Sequence, residues 1–213
     1  MNLTHILSYS IWTPIFLGAL ILLLSGKISD AQAKWFSFVS SIVSFLITIP
    51  LYTAFDFSFG QFQFQEFFHW IPAFHINYHL GVDGFAVPLI LLTSFTTVIV
   101  VLASWRSIED RVAQYMAAFL IMSGLMIGVF SALDAMLYYI FWEAMLIPMF
   151  LVIGIWGGPN RIYATIKFFL YTVFNGTLVF FEKVILIAHF LFKFKLNYKF
   201  FKFKYFFYNI FNY

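Results

Sequence analysis

Six stretches of roughly 20 mostly apolar residues, each long enough to cross a hydrocarbon core of about 30 Å, dominate this chain. They run over Ile6–Leu24, Trp35–Phe55, Gly84–Ser104, Val112–Phe130, Leu133–Trp156 and Ile162–Phe181. In lipid, a spanning segment has to satisfy its own backbone hydrogen bonds, so runs of this length are predicted to be helices. Composition agrees. Of the 213 residues, 63% are hydrophobic and 10% charged, against about a quarter charged in soluble domains. The chain is therefore predicted to be an all-α membrane protein with about six transmembrane helices.

Cations order those helices, because Lys and Arg collect in cytoplasmic links. Lys27, Lys34, Arg106, Arg111 and Arg161 are the five that precede residue 165. If the helices alternate, all five fall on one side and none on the other. That side is predicted to be the cytoplasm or its equivalent, with the amino terminus and the long 56–83 link outside. Met1–Ser10 has no basic n-region, so no cleavable signal is expected. There is no cysteine, which excludes thiolate metal sites, iron–sulfur clusters and disulfides.

One charge sits where it is most costly. Glu143 lies within Leu133–Trp156 (LDAMLYYIFWEAMLIPMFLVIGIW), and an ionisable group near a helix centre costs roughly 2.5–3.5 kcal/mol on insertion scales. The default reading is a proton-handling site. The plainer one is a carboxyl hydrogen-bonded between helices. Five residues on, Pro148 cannot donate to the Ala144 carbonyl, so a kink and a free carbonyl are predicted beside Glu143.

Lys167, in RIYATIKFFLYT, is the second intramembrane candidate for a proton relay. At 1.5 Å per residue it lies about 9 Å inside Arg161, whereas Glu143 lies about 20 Å from the same boundary. A direct salt bridge is not expected. Water can join them, or Lys167 can snorkel to the surface.

The remaining polar groups read as structure. Asp83 and Asp134 stand at outer helix starts, where a carboxylate caps free N–H groups and suits the helix dipole. His69, His75 and His79 have the spacing H-x5-H-x3-H, which admits zinc, but no carboxylate or thiol joins them at ligand spacing. An interfacial aromatic belt is the favoured reading. No phosphate loop, nucleophile elbow or haem motif occurs. The chain is expected to bind no metal, cofactor or nucleic acid, and to carry no redox chemistry of its own.

Residues 175–213 break the pattern, ending in FLFKFKLNYKFFKFKYFFYNIFNY. A cationic amphipathic segment on the membrane is one reading. The favoured one is a segment never selected as structure, because Phe, Lys, Asn, Tyr and Ile all have A/T-rich codons and a frameshift yields this composition. Two regions result: transmembrane helices over 1–174 and an aberrant tail over 175–213.

The run GVFSALDAMLYYIFWEAMLIPMFLVIGIWGG (Gly128–Gly158), with LGVDGFAVPLILLT (Leu80–Thr93) and RIYATIKFFLYT (Arg161–Thr172), resembles the chain M family of proton-pumping NADH–quinone oxidoreductase, respiratory complex I. The mitochondrial equivalent is NADH dehydrogenase subunit 4. The resemblance implies the amino-terminal part of an antiporter-like fold of about fourteen helices. It further implies a membrane-arm subunit that translocates protons while other subunits oxidise NADH and reduce ubiquinone. Partners would be other membrane-arm subunits, the lipid bilayer and protons. The location would be a bacterial inner membrane or, alternatively, the mitochondrial inner membrane. The family's helix-five Glu matches Glu143, and its helix-six Lys, in KFF-x-YT, matches Lys167. Its helix-seven Lys, which works with that Glu, has no counterpart here. The resemblance ends near residue 174, so a truncated chain, inactive by itself, is expected. A subunit of an Mrp-type sodium/proton antiporter and a non-catalytic membrane scaffold are the alternatives.

Overall fold

The computed structural model describes residues 5–58, 60–71, 76–174, 176 and 177. The chain divides between Phe168 and Phe169 into two units. The first contains α1 (Ile6–Leu24), α2 (Asp30–Thr53), β1 (Gln63–Ile71), β2 (Ile76–Val82), α3 (Ala86–Ser107), α4 (Val112–Ser131) and α5 (Ala135–Trp156). Residues 161–168 are also helical there, as are the described residues 169–174, 176 and 177 of the second unit. Among the described residues, five helices, α1 to α5, are long and apolar enough to cross a membrane. The rest of the sixth predicted span and the 178–213 tail lie outside the described residues.

Local chemistry explains where the boundaries moved. α2 starts at Asp30 rather than Trp35 because Ser29 and Gln32 form a capping box. Gln32 N–H donates to Ser29 Oγ at 3.4 Å and Ser29 N–H donates to Gln32 Oε1 at 2.9 Å, so two amides that no helical carbonyl reaches are satisfied reciprocally. α5 starts at Ala135 rather than Leu133 because Leu133 N–H donates to the His79 carbonyl at 2.9 Å.

The core is largely apolar, built round Leu7, Ile11, Ile90, Ile127 and Phe141, but α2 turns small polar residues inward and bulky apolar ones outward. α2 buries Ser37, Ser40, Ser41, Ser44 and Thr48, while Trp35, Phe36, Val39 and Leu46 on the same helix are exposed. Most of these hydroxyls return to their own helix, as Ser37 and Ser44 do to the carbonyls four residues back. Thr48 Oγ1 meets Ser94 Oγ of α3 at 2.8 Å. Lipid tails are as apolar as Leu, so helices in a membrane associate through close packing and such polar contacts. α1 and α4 approach almost backbone to backbone. A Cβ added at Gly124 would stand 2.5 Å from the Ile11 carbonyl oxygen, and one at Gly18 2.9 Å from that of Ala117.

The link between α2 and α3, expected as a loop in an all-α chain, instead contains an antiparallel hairpin. β1 and β2 pair with Glu66 opposite Leu80 and Phe68 opposite Tyr78. Ile76, Leu80, Gly81 and Val82 are buried and Asn77, Tyr78 and His79 partly so, so β2 is covered most closely at its end nearest α3. The cover comes from the segment before α5, where Ala132 bridges Leu80. A register shift lies between Gln63 and Glu66, and Phe64 there has a left-handed φ of 52°.

The hairpin marks one end of the bundle. At the other, Trp35 packs edge-on against Trp105 at 5.3 Å, and Trp156 Nε1 donates to the Asp110 carbonyl at 2.8 Å. Residues 107–111 and 154–156, with Arg161, line an open cavity of about 740 Å³ there. Lys27, Lys34, Arg106, Arg111 and Arg161, in the links or the adjoining helix turns, therefore share an end.

Candidate functional site

Glu143 is the ninth of the 22 residues of α5, close to the middle of the span. At about 100° per residue, its side chain leaves the helix some 120–160° away from Leu137, Phe141 and Pro148. Those three are buried, as is Leu146, which lies only about 60° round the helix from Glu143; Phe141 packs on α4 at Gly128. Glu143 therefore points away from the Phe141 contact with α4. Its Oε1 is buried and has no hydrogen-bond partner among the described residues. A buried carboxyl oxygen without a donor costs several kcal/mol unless water reaches it. Pro148 sits inside a helix that runs without interruption from Ala135 to Trp156. The helix is continuous, yet the Ala144 carbonyl, one residue from Glu143, has no amide donor at position 148.

Lys167 occupies the helical segment that follows α5, and its Nζ lies 5.5 Å from the ring centre of Tyr163. Tyr163 is one turn nearer Arg161, so the ammonium reaches back towards the cationic end. Gly154 faces Thr165, which sets the register of the two helices. Counting residues from that contact puts Lys167 and Glu143 about 13 Å apart along the axis, too far for an ion pair.

The aspartates are caps. Asp134 Oδ1 accepts from the amides of Met136 at 2.8 Å and Leu137 at 3.1 Å. Its Oδ2 accepts from the Asn77 amide of β2 at 3.2 Å, a tie the sequence did not suggest. Asp83 Oδ1 accepts from the Ala86 amide at 2.8 Å. His69 Nδ1 lies 3.0 Å from Asn77 Oδ1, and His79 Nε2 3.5 Å from Gln65 Oε1. His75 lies outside the described residues. Among those described, no three His, Cys, Asp or Glu gather as metal ligands would.

Residues 9–131 match the family described as NADH-ubiquinone oxidoreductase chain 4, amino terminus. Residues 132–191 match the one described as NADH:quinone oxidoreductase/Mrp antiporter, TM. The chain belongs to the NADH–quinone oxidoreductase subunit M family. NADH-quinone oxidoreductase subunit M of Rhodobacter capsulatus is 43% identical over 178 residues, covering 82% of this chain and 34% of the relative. NADH-ubiquinone oxidoreductase chain 4 of Chondrus crispus is 39% identical over 168 residues, covering 78% and 34%. A chain of respiratory complex I from Thermus thermophilus with bound NADH superposes with a TM-score of 0.66 at 26% identity, covering 80% of this chain and 33% of that one. The chain thus spans about a third of the length of these relatives. It is a multi-pass inner-membrane protein with the amino-terminal part of their antiporter-like fold.

This subunit M family chain has a second buried acid that the sequence reading passed over. Glu66 is 3% exposed and is the one buried residue of β1. Its Oε1 accepts from the amides of Leu7 at 2.8 Å and Ser8 at 3.2 Å, and its Oε2 accepts from Ser8 Oγ. His5 Nδ1 lies 3.9 Å from Oε2. α1 has no side-chain cap of its own at His5, so a carboxylate 59 residues along the chain takes that place at the positive end of the helix dipole. Ser8 Oγ also meets Tyr78 Oη at 3.0 Å, and Trp12 Nε1 donates to that oxygen at 3.1 Å. Burial raises the Tyr78 phenol above its ordinary 10.0. The Glu66 charge acts in the same direction, against the hydrogen bonds from Ser8 and Trp12.

Proposed function

We propose that this chain forms the first helices of a proton-translocating membrane-arm subunit of NADH–quinone oxidoreductase, and that Glu143 carries a proton at mid-membrane. NADH oxidation and quinone reduction take place on other subunits, and this chain binds no redox cofactor. The observation that carries the reading is the buried Oε1 of Glu143, which has no hydrogen-bond partner among the described residues. A carboxyl held by donors stays in one protonation state. One whose partner is water exchanges protons with it, and a local gap in the helix ladder at Ala144 gives that water an acceptor. Lys167 serves nearer the cytoplasmic mouth and connects to Glu143 only through water. The cationic end of the bundle faces the cytoplasm or its equivalent, and the hairpin faces outward.

The match over 132–191 also takes in Mrp antiporters. The match over 9–131 to chain 4 favours the respiratory complex.

Glu143→Gln in the full-length subunit, within the assembled complex, tests the proposal. NADH-driven proton uptake into vesicles is expected to fall severalfold with assembly unchanged, and Lys167→Ala to lower it less. Full-rate pumping by the Gln variant would make Glu143 a structural group in a scaffold. The 213-residue chain alone, lacking the helix-seven Lys, is expected to move no protons. Uncoupler-sensitive flux in liposomes containing it would refute that.

A further inference from the structure

We propose that Glu66 is a positioning residue: its buried carboxylate locks the hairpin to the outer end of α1, and the hairpin in turn fixes the outer end of α5, the helix that carries Glu143. The proposal rests on the reading of Glu143 as the proton carrier only for its functional consequence, not for its geometry.

Three observations converge on this assignment. First, β1 is inside out. Phe67 and Phe68 are about half exposed while Glu66 between the strands and α1 is 3% exposed. The strand hides its charge and shows its rings. A register shift and the left-handed Phe64 immediately precede Glu66. Bulges of this kind re-aim a side chain, and a non-glycine residue in that backbone region is strained, so the surroundings have to hold it there.

Second, Glu66 is fully supplied with donors by an element remote in sequence. The amides of Leu7 and Ser8 and the Ser8 hydroxyl all point at it, and Tyr78 and Trp12 extend the network across β2 and α1. Third, the strand opposite is attached to α5. Leu80, the register partner of Glu66, bridges Ala132. The neighbouring His79 carbonyl accepts from Leu133, and the Asn77 amide donates to the α5 cap Asp134.

The route from α1 to α5 is therefore a continuous line of hydrogen bonds, with Glu66 as its first member. α5 also packs along α4, where Phe141 lies on Gly128, and Trp156 ties its far end to the Asp110 carbonyl. The hairpin and the Asp134 cap set the position of its outer end. A change in that position moves Glu143 relative to the groups and waters that exchange its proton.

Hydrogen–deuterium exchange in the assembled complex, read by mass spectrometry, tests the coupling. Glu66→Ala is expected to speed exchange at Leu7 and Ser8, which the carboxylate touches, and also at residues 132–137, which it does not. Glu66→Gln keeps an acceptor oxygen for the two amides and is expected to restore most of the protection at both places. It also serves as the measurement should the Ala variant fail to assemble. Protons moved per NADH oxidised are expected to fall in the Ala variant and to recover in the Gln variant. Faster exchange confined to α1, with residues 132–137 unchanged, would overturn the proposal. If Glu143→Gln pumps normally while Glu66→Ala loosens residues 132–137, the anchoring stands and the proton reading falls. If Glu143→Gln stops pumping and Glu66→Ala leaves α5 untouched, the reverse holds.

Discussion

Glu66 is buried and Glu143 partly so, with a buried Oε1, yet only Glu66 is seen supplied with hydrogen-bond donors. Glu66 meets two helix amides and a hydroxyl; Glu143 has an oxygen with none among the described residues. That contrast, rather than burial, is what supports the proposal of an anchor at Glu66 and a carrier at Glu143. The caps support a direct energetic prediction. Removing a capping carboxylate costs roughly 0.5–2 kcal/mol, and Asp134 serves two α5 amides as well as Asn77. Asp134→Ala is expected to lower the thermal midpoint of the detergent-solubilised complex, with Asp134→Asn recovering most of the loss. Tyr78 gives a pH test. Its folded-state pKa is raised above 10.0, so the neutral phenol's contribution is complete below pH 10 and is lost as pH rises through the folded value. The stability gap between the natural chain and Tyr78→Phe is expected to be constant below pH 10 and to close above it.

At the scale of elements, membrane helices are legible because length and hydropathy decide them and little competes. α1 falls where its apolar run falls, and α2 extends to Asp30 through a Ser29–Gln32 signature that the sequence displays. The hairpin was harder to see. The 56–83 link reads as an aromatic belt, and the alternation of Ile76, Tyr78, Leu80 and Val82 is short. Its cover is supplied by Ala132 and Leu133, some 50 residues away. Glu66 was invisible for the same reason, since the donors it uses lie on α1 and its own neighbours, Gln65 and Phe67, give no sign of them. Glu143 was legible because a charge in an apolar run declares itself. What no sequence pattern gave was the direction its side chain takes round α5. Gly124 illustrates packing between elements: a Cβ there would meet the Ile11 carbonyl oxygen at 2.5 Å and Pro14 Cγ at 3.1 Å. Gly124→Ala is expected to push α1 from α4 and cost about 1–3 kcal/mol, as overpacking does. A fall in the thermal midpoint of the assembled complex measures it. An unchanged midpoint would mean that the two backbones are not in contact.

At the scale of the whole molecule, charge and architecture agree on a direction across the membrane. Lys27, Lys34, Arg106, Arg111 and Arg161 sit at one end, where Arg111 and Arg161 line the cavity. The hairpin, with its three capping carboxylates Glu66, Asp83 and Asp134, sits at the other. Each of those carboxylates faces the amino-terminal end of an odd-numbered helix, so negative charge gathers where three helix dipoles are positive. By the positive-inside rule this charge distribution supports the proposed orientation, with the hairpin outside. A chain without cysteine allows that to be checked within this subunit by single substitutions at exposed positions. Gln61→Cys, beside β1, is expected to react with an impermeant maleimide added to intact cells or mitoplasts. Glu109→Cys, in the α3–α4 link, is expected to react only after the membrane is opened. The opposite labelling pattern would invert the molecule. It would also put the Lys167 end of the proposed proton path on the side that receives protons rather than the side that supplies them.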